Sequence, residues 1–283
     1  MKENIQIRET SVDFFSKHPV FTTAEFDEFL ASGDRGRLGN RKRLLHYHKE
    51  QGHLLLLRQG LYASVPAGAS ATTHLPDNYV IGAKLTPDAT IAYHAALSFH
   101  GVAHTWREEC IVVTRQPLVR PFMYQDITYR TVSTPSRLIQ ANEAGFGIEL
   151  RDRLGQAVRV TSLERTLVDV LDRLALGGGW EEVWRSYEAV PYIDSDAVIH
   201  YAQLLGNTTT IARVGYFLEC QRERWMITDS ALELLRQSKP TQPHYLHREQ
   251  SAISPSKLVS QWNLIVPEWI LQRSWEEYDA AFA

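Results

Sequence analysis

Apolar residues recur every three or four positions near the start of the chain, which is the spacing of buried faces on helices. Val12–Pro19 predicts a short helix that ends at its proline. Thr22–Gly33 predicts a second helix, with a threonine cap and a terminal glycine. Asn40–Gln51 predicts a third, capped by its asparagine. A two-stranded ribbon follows at Leu54–Val65, around a tight turn at Gln59-Gly60.

The pattern changes after this ribbon. Residues 66–76 are rich in Pro, Ala, Gly, Ser and Thr, which predicts a linker. A mixed pattern then extends to about residue 160, and a mainly helical one extends from there to about residue 237. The elements predicted in the mixed part are a helix at Thr90–Phe99, strands at Cys110–Thr114 and Ile127–Val132, and a hairpin at Ile148–Val160.

These patterns predict an α+β protein in three parts. Two helices, a third basic helix and a ribbon are the order of a winged helix-turn-helix, which we assign to residues 1–70. A larger mixed α/β domain is predicted at 77–239. The tail at 240–283 contains prolines and three tryptophans, and we expect it to be an irregular segment packed on the body of the protein.

Composition narrows the class of protein. The 283 residues are 44% hydrophobic and 22% charged, with a formal net charge of −3, which is typical of a globular chain. No apolar run approaches the ~18 residues of a membrane span. With only Cys110 and Cys220, a disulfide framework is not expected. The N-terminus has no apolar region of a secretory signal, so we expect a cytoplasmic protein that contacts no membrane.

Positive charge is concentrated around the third predicted helix. Between Arg35 and Arg58 there are seven Lys or Arg residues and one acidic residue. At 100° per residue, Leu44, Leu45 and His48 share one face of this helix. Lys42, Arg43, His46 and Lys49 lie on the opposite face, and Arg41 projects beside the apolar stripe. The predicted DNA-binding residues are Arg35, Arg37, Asn40, Arg41, Lys42, Arg43, His46, Lys49 and Arg58. From charge alone, a solvated structural helix is the open alternative.

Five sequence motifs point to a known family. In the N-terminal part they are Phe21–Phe26, Gly52–Leu54 and Arg58–Tyr62. Further along the chain they are Ala92–Gly101 and Thr161–Asp169. Together they resemble motifs of the AbiEi-type antitoxin family of type IV toxin–antitoxin, or abortive-infection, systems, the last two being similar to motifs of the family's C-terminal region.

The resemblance implies an antitoxin of phage defence that binds the double-stranded operator DNA of its own operon and represses it. It also implies antagonism of a co-encoded nucleotidyltransferase-like toxin, without requiring a stable complex. By resemblance alone, toxin antagonism is assigned to Glu164, Arg165 and Asp169. Sequence reasoning offers a structural alternative, in which Thr161 and Glu164 form a capping box and Arg165 pairs with Asp169 on the surface.

Other functions have weaker support. We predict no enzyme activity, no cofactor and no metal, since His94, His100 and His104 lack a nearby carboxylate or thiol to complete a metal site. Two alternatives stay open: a winged-helix transcription factor that senses a ligand through its C-terminal domain, and a DNA nuclease. Pro87-Asp88 could begin a nuclease site, but no Glu-x-Lys follows on the next predicted strand.

Overall fold

The computed structural model describes residues 10–32, 41–247, 251 and 254–275. The protein has a mixed α/β fold with three sheets among these residues. Its first elements are α1 (Ser11–Lys17), β1 (Val20–Thr22), α2 (Thr23–Ser32), α3 (Arg41–Glu50), β2 (Leu54–Arg58) and β3 (Leu61–Ser64). The predicted helices and ribbon of this region are confirmed. The first sheet has a third strand, β1, that the sequence analysis missed; its order is β1-β3-β2.

Side-chain caps explain where the first two helices begin. Thr10 accepts a hydrogen bond from the Asp13 backbone, and the Asp13 carboxylate accepts one from Thr10 in return. Thr22 and Glu25 make the same reciprocal pair at the start of α2, with the Thr22 amide 2.7 Å from Glu25 Oε2. Each capping box satisfies backbone N–H groups that the helix leaves unpaired.

An aromatic core holds these elements together. Its buried members are Phe14, Phe15, Phe21, Phe26, Leu30, Leu45 and Leu54. The Phe14 ring meets Phe21 edge to face at 5.2 Å, and the Phe15 ring stacks on Phe21 at 5.6 Å. Because Leu45 belongs to α3, this core determines which face of α3 is exposed.

The middle of the chain forms a six-stranded sheet of order β6-β7-β5-β4-β9-β8. The elements are α4 (Asn78–Ala83), β4 (Thr90–Ile91), α5 (His94–Phe99), β5 (Glu109–Thr114), β6 (Phe122–Tyr124), β7 (Ile127–Ser133), α6 (Ser136–Gln140), β8 (Ile148–Arg153) and β9 (Gln156–Thr161). The helix predicted at Thr90–Phe99 is wrong in its first half. Tyr93 has a φ of +56°, which breaks a helix, so Thr90 and Ile91 form a strand instead.

The chain divides into two compact units. One contains Met1–Thr90, Glu108–Thr131 and Leu150–Arg159, and the other contains Ile91–Arg107, Val132–Glu149 and Val160–Ala283.

The predicted domain boundaries do not coincide with this division. Residues 77–90 belong with the N-terminal elements because Lys84 forms an ion pair with Glu25 of α2. Asp77 pairs with Arg153 of β8 at 2.8 Å, which brings a later segment into the same unit.

The second unit is mainly helical. Its later elements are α7 (Leu163–Asp172), α8 (Leu174–Gly177), α9 (Trp180–Glu188), α10 (Ser195–Leu205), α11 (Thr208–Cys220), α12 (Arg222–Trp225), α13 (Asp229–Arg236), β10 (His244–Tyr245), β11 (Ser256–Val259), β12 (Leu264–Pro267) and α14 (Glu268–Leu271). The last strands form a small sheet of order β10-β12-β11, so the described part of the tail is not the irregular segment that the sequence predicts.

Trp262 attaches this small sheet to α11. Its ring is fully buried, and its Nε1 donates a hydrogen bond to Glu219 at 2.7 Å. A Cβ on Gly215 would lie 2.1 Å from the ring, so only glycine allows this approach. In the part of the chain that the structure describes, no helix combines the length and apolar character needed to cross a bilayer.

Candidate nucleic-acid interface

α3 has one buried face and one exposed face, as the spacing of its residues predicts. Leu45 and His48 are buried, and Leu44 packs partly buried against the aromatic core. The predicted contact residues Lys42, Arg43, His46 and Lys49 are all exposed.

The cations of this face differ in how they are paired. Arg41 forms an ion pair with Asp27 of α2 and is half-buried. Lys49 Nζ lies 3.6 Å from Glu50 Oε1, and both side chains are exposed. Among the described residues, Lys42 and Arg43 have no acidic partner. These two charged side chains therefore face solvent.

Sequence reasoning missed one member of this face. Tyr47 follows Arg43 by one helical turn, so its side chain lies beside that of Arg43. It is 56% exposed, which is unusual for an aromatic ring. Its position on the polar side of the helix was the available signal, because an aromatic residue there has no core to join.

The ribbon places Arg58 as the last residue of β2, next to the turn. Its guanidinium lies 5.2 Å from the centre of the Phe122 ring, a cation–π contact. This contact fixes the side chain at the ribbon end. Three further predicted contact residues, Arg35, Arg37 and Asn40, lie outside the described residues.

A buried histidine supports α3 from behind. His48 meets the Phe15 ring edge to face at 4.8 Å, and its Nδ1 lies 3.2 Å from Nδ1 of His53. Burial lowers the pKa of His48, and the neighbouring His53 lowers it further. The fold therefore disfavours protonation of the His48 imidazole.

The residues assigned to toxin antagonism are placed differently from expectation. Arg165 and Asp169 were expected on the surface, but they are only 1% and 3% exposed. The expectation failed because α7 is buried on nearly all sides, between α5, α9, α10 and α11. Glu164 is half-buried, and one of its carboxylate oxygens lies 3.5 Å from the Asp194 amide.

Arg165 and Asp169 form the centre of a buried polar network. Arg165 Nε lies 3.4 Å from Asp169, and its Nη1 donates to the carbonyl of Phe146 at 2.6 Å. The Tyr201 hydroxyl donates to Asp169 at 2.7 Å. Burial raises the pKa of Asp169, and Arg165 opposes that shift. Hydrogen bonds to both side chains make this arrangement a structural one.

The predicted capping box of α7 is also wrong. Ser162 is the N-cap, and its hydroxyl accepts a hydrogen bond from the Arg165 amide at 3.3 Å. Thr161 instead ends β9 and is fully buried.

Two of the three histidines considered as metal ligands have other partners. His94 Nε2 lies 3.1 Å from Glu182, and His100 Nε2 lies 2.7 Å from the carbonyl of Thr161. Burial opposes the ionisation of Glu182, but hydrogen bonds from His94 and Thr105 outweigh it and lower the pKa of Glu182 to about 2. No group of three His, Cys, Asp or Glu side chains placed to hold a metal occurs within the described ranges.

Asp88, the carboxylate considered for a nuclease, is also engaged. One oxygen accepts from the Thr114 hydroxyl at 2.5 Å, and the other accepts from the Arg115 amide at 2.8 Å. Burial raises the pKa of Asp88, but these hydrogen bonds prevail and lower it. The carboxylate is used within the fold.

No family model and no curated relative matches the chain. Among solved structures, the Rv2827c protein from Mycobacterium tuberculosis is similar, with a TM-score of 0.55 and 14% sequence identity. The similarity covers 90% of this chain and 89% of that chain. At this identity it concerns the fold alone.

The buried imidazole of His48 makes α3 sensitive to acid. Because the fold lowers the pKa of His48, the unfolded chain takes up the proton more readily. The contribution of His48 to the free energy of unfolding is therefore complete above the unfolded-state pKa of about 6.5, and it is lost as the pH falls below that value. We expect the melting temperature to drop between pH 7.5 and 5.5, and His48→Leu to reduce that drop.

His46→Leu is the matched control for this change, because His46 lies on the same helix but is exposed. It should keep the pH dependence of the unchanged protein. If His48→Leu melts with the same pH dependence as His46→Leu, His48 is not the group responsible.

Proposed function

We propose that the protein is a DNA-binding regulator in which α1 to β3 act as a winged helix-turn-helix. In that fold a third helix enters the major groove and the ribbon contacts the phosphates. The order of the elements and the sheet β1-β3-β2 support this assignment. The fixed orientation of α3 on the aromatic core supports it further.

One observation carries the proposal: an exposed, unpaired pair of cations on the outer face of α3. Lys42 and Arg43 lie one after the other and have no acidic partner among the described residues, and Tyr47 lies beside Arg43. Arginine can donate two hydrogen bonds to the guanine edge, whereas lysine supplies charge to phosphate.

We propose a binding protein in preference to an enzyme. Asp88, which a nuclease would need for its metal, is already occupied by hydrogen bonds within the fold. A nuclease also needs further carboxylates close to the first one to hold magnesium.

The antitoxin role and repression of its own operon are proposed from the resemblance of the sequence motifs to the AbiEi family. The buried positions of Arg165 and Asp169 limit how these residues could act, since neither can reach a toxin directly. Of the three assigned residues, Glu164 is the one with appreciable exposure. We propose that Arg165 and Asp169 act by holding α7 in place.

Arg43→Ala tests base recognition. Loss of a bidentate contact to a base should weaken binding to the DNA upstream of the protein's own gene by ~1–3 kcal/mol, with a smaller loss on random DNA. Binding is measured by fluorescence anisotropy on both DNAs. Arg120→Ala is the control, because Arg120 is exposed in the same unit and lies outside α3. Equal losses of Arg43→Ala on both DNAs would show that Arg43 contacts only phosphate.

The double change Lys42→Ala with Lys49→Ala tests phosphate docking. Each lost phosphate contact reduces the slope of log K against log salt by about 0.9, so the double variant should flatten it by about 1.8. The double variant Arg120→Ala with Arg222→Ala removes the same net charge elsewhere and should leave the slope unchanged. A slope equal to that of the unchanged protein would place DNA away from α3.

Co-expression tests the antitoxin role separately. The adjacent nucleotidyltransferase-like protein, expressed from an independent promoter, should arrest growth, and this protein should restore it. The Lys42→Ala, Lys49→Ala variant should restore growth equally well, because the toxin is no longer under the control of its DNA binding. Failure of the unchanged protein to restore growth would reject the antitoxin role and leave the DNA-binding proposal standing.

A further inference from the structure

The N-terminal unit contains a cavity of about 910 Å³. Its walls come from α1, residues 51–53 after α3, residues 64–69, residues 74–77 and the turn between β8 and β9. All of these segments belong to one compact unit. Cavities that bind small molecules measure about 300–1,000 Å³, so this volume suits one organic ligand.

Three of the side chains that line the cavity are apolar and exposed. Val12 of α1 is 61% exposed, Leu75 is 73% exposed, and Leu154 of the β8–β9 turn is 64% exposed. Contact with water is energetically unfavourable for each of these apolar side chains. A ligand with an apolar body would cover them.

A leucine at position 154 is unfavourable because of its backbone conformation as well as its exposure to water. It has a φ of +56°, and the following Gly155 has a φ of +73°. Two-residue turns with positive φ at both positions prefer Asn-Gly, because a bulky side chain is strained there. A leucine in this place serves neither the turn nor the core, which favours a role at the cavity.

The polar groups of the lining point to the charge of the ligand. Asp77 is engaged, since one oxygen accepts from the Tyr79 and Val80 amides and the other pairs with Arg153. Unlike the Asp77 carboxylate, the rings of two lining histidines, His53 and His74, keep nitrogen atoms available for a ligand.

For the His74 ring, the described residues offer no hydrogen-bond partner. His53 uses Nδ1 toward His48, which leaves its Nε2 for a ligand. Two imidazoles able to donate hydrogen bonds, with the carboxylate already neutralised by Arg153, complement an anion.

We propose that this cavity binds a small organic acid that has an apolar body and one anionic group. The apolar body covers Val12, Leu75 and Leu154, and the anionic group accepts hydrogen bonds from His53 and His74. The proposal does not depend on the DNA-binding function.

The probe for the test is 8-anilinonaphthalene-1-sulfonate, an aromatic acid that fluoresces in apolar surroundings. We expect one bound molecule per chain and competition by octanoate. Leu154→Asn should weaken binding by about tenfold, because it removes the apolar contact. The same change suits the turn, so its melting temperature should not fall. A poorly folded protein therefore cannot explain the loss.

Leu150→Asn is the matched control. Leu150 lies in the same hairpin and is 68% exposed, but it lines a different cavity. It should bind the probe as the unchanged protein does. Equal binding by the two leucine variants, or no binding of the probe by the unchanged protein, would overturn the proposed site.

The double variant His53→Phe with His74→Phe, in which neither side chain can donate a hydrogen bond, tests the anionic group. It should weaken binding of the sulfonate probe but not of the uncharged analogue N-phenyl-1-naphthylamine. Weakening of both probes by the same factor, or of neither, would overturn the assignment of an acid as the ligand.

Discussion

The guanidinium of Arg165 is almost completely removed from water, and the hydrogen bonds that replace its hydration organise the larger unit. It donates to the carbonyls of Ala144 and Phe146 and is balanced by Asp169, which also accepts from Tyr201. A buried charge of this kind is tolerated only while every partner stays in place, because removing one leaves another ionised group unpaired in an apolar interior. One side chain thus ties the 144–146 segment and α10 to α7.

The same constraint decides which polar residues remain for a partner. Glu182 accepts hydrogen bonds from His94 and from the Thr105 backbone, and Asp88 accepts from Thr114 and Arg115. These groups look reactive in a sequence because carboxylates and histidines are the usual catalytic side chains. In the fold these carboxylates accept hydrogen bonds from neighbouring groups of the protein. Lys42 and Arg43 lie instead on the exposed face of α3, and among the described residues no donor or acceptor binds their side chains.

The sequence allowed α3 to be predicted well and α7 poorly, for a physical reason. A helix with one solvent-exposed face has its apolar residues on one side and its charged residues on the other, and α3 shows this pattern from Lys42 to Lys49. In α7, charged residues four positions apart also look like a wet face. Their burial depends on Tyr201 and on carbonyls far away in the chain, which no local pattern reveals.

The sequence pattern fails to predict short elements for a related reason. β1 has three residues, too few for an alternating pattern, and it exists because β3 pairs with it. The break at Tyr93 depends on a left-handed backbone that a tyrosine rarely adopts, so nothing in its residue type announces it. For His48, the spacing of the residues predicts its place on the apolar face of α3, but it does not predict the contact with its partner. That partner is His53, which lies five residues on and also lines the cavity. This pair of imidazoles joins the buried face of α3 to the lining of the cavity, so a change in either ring acts on both.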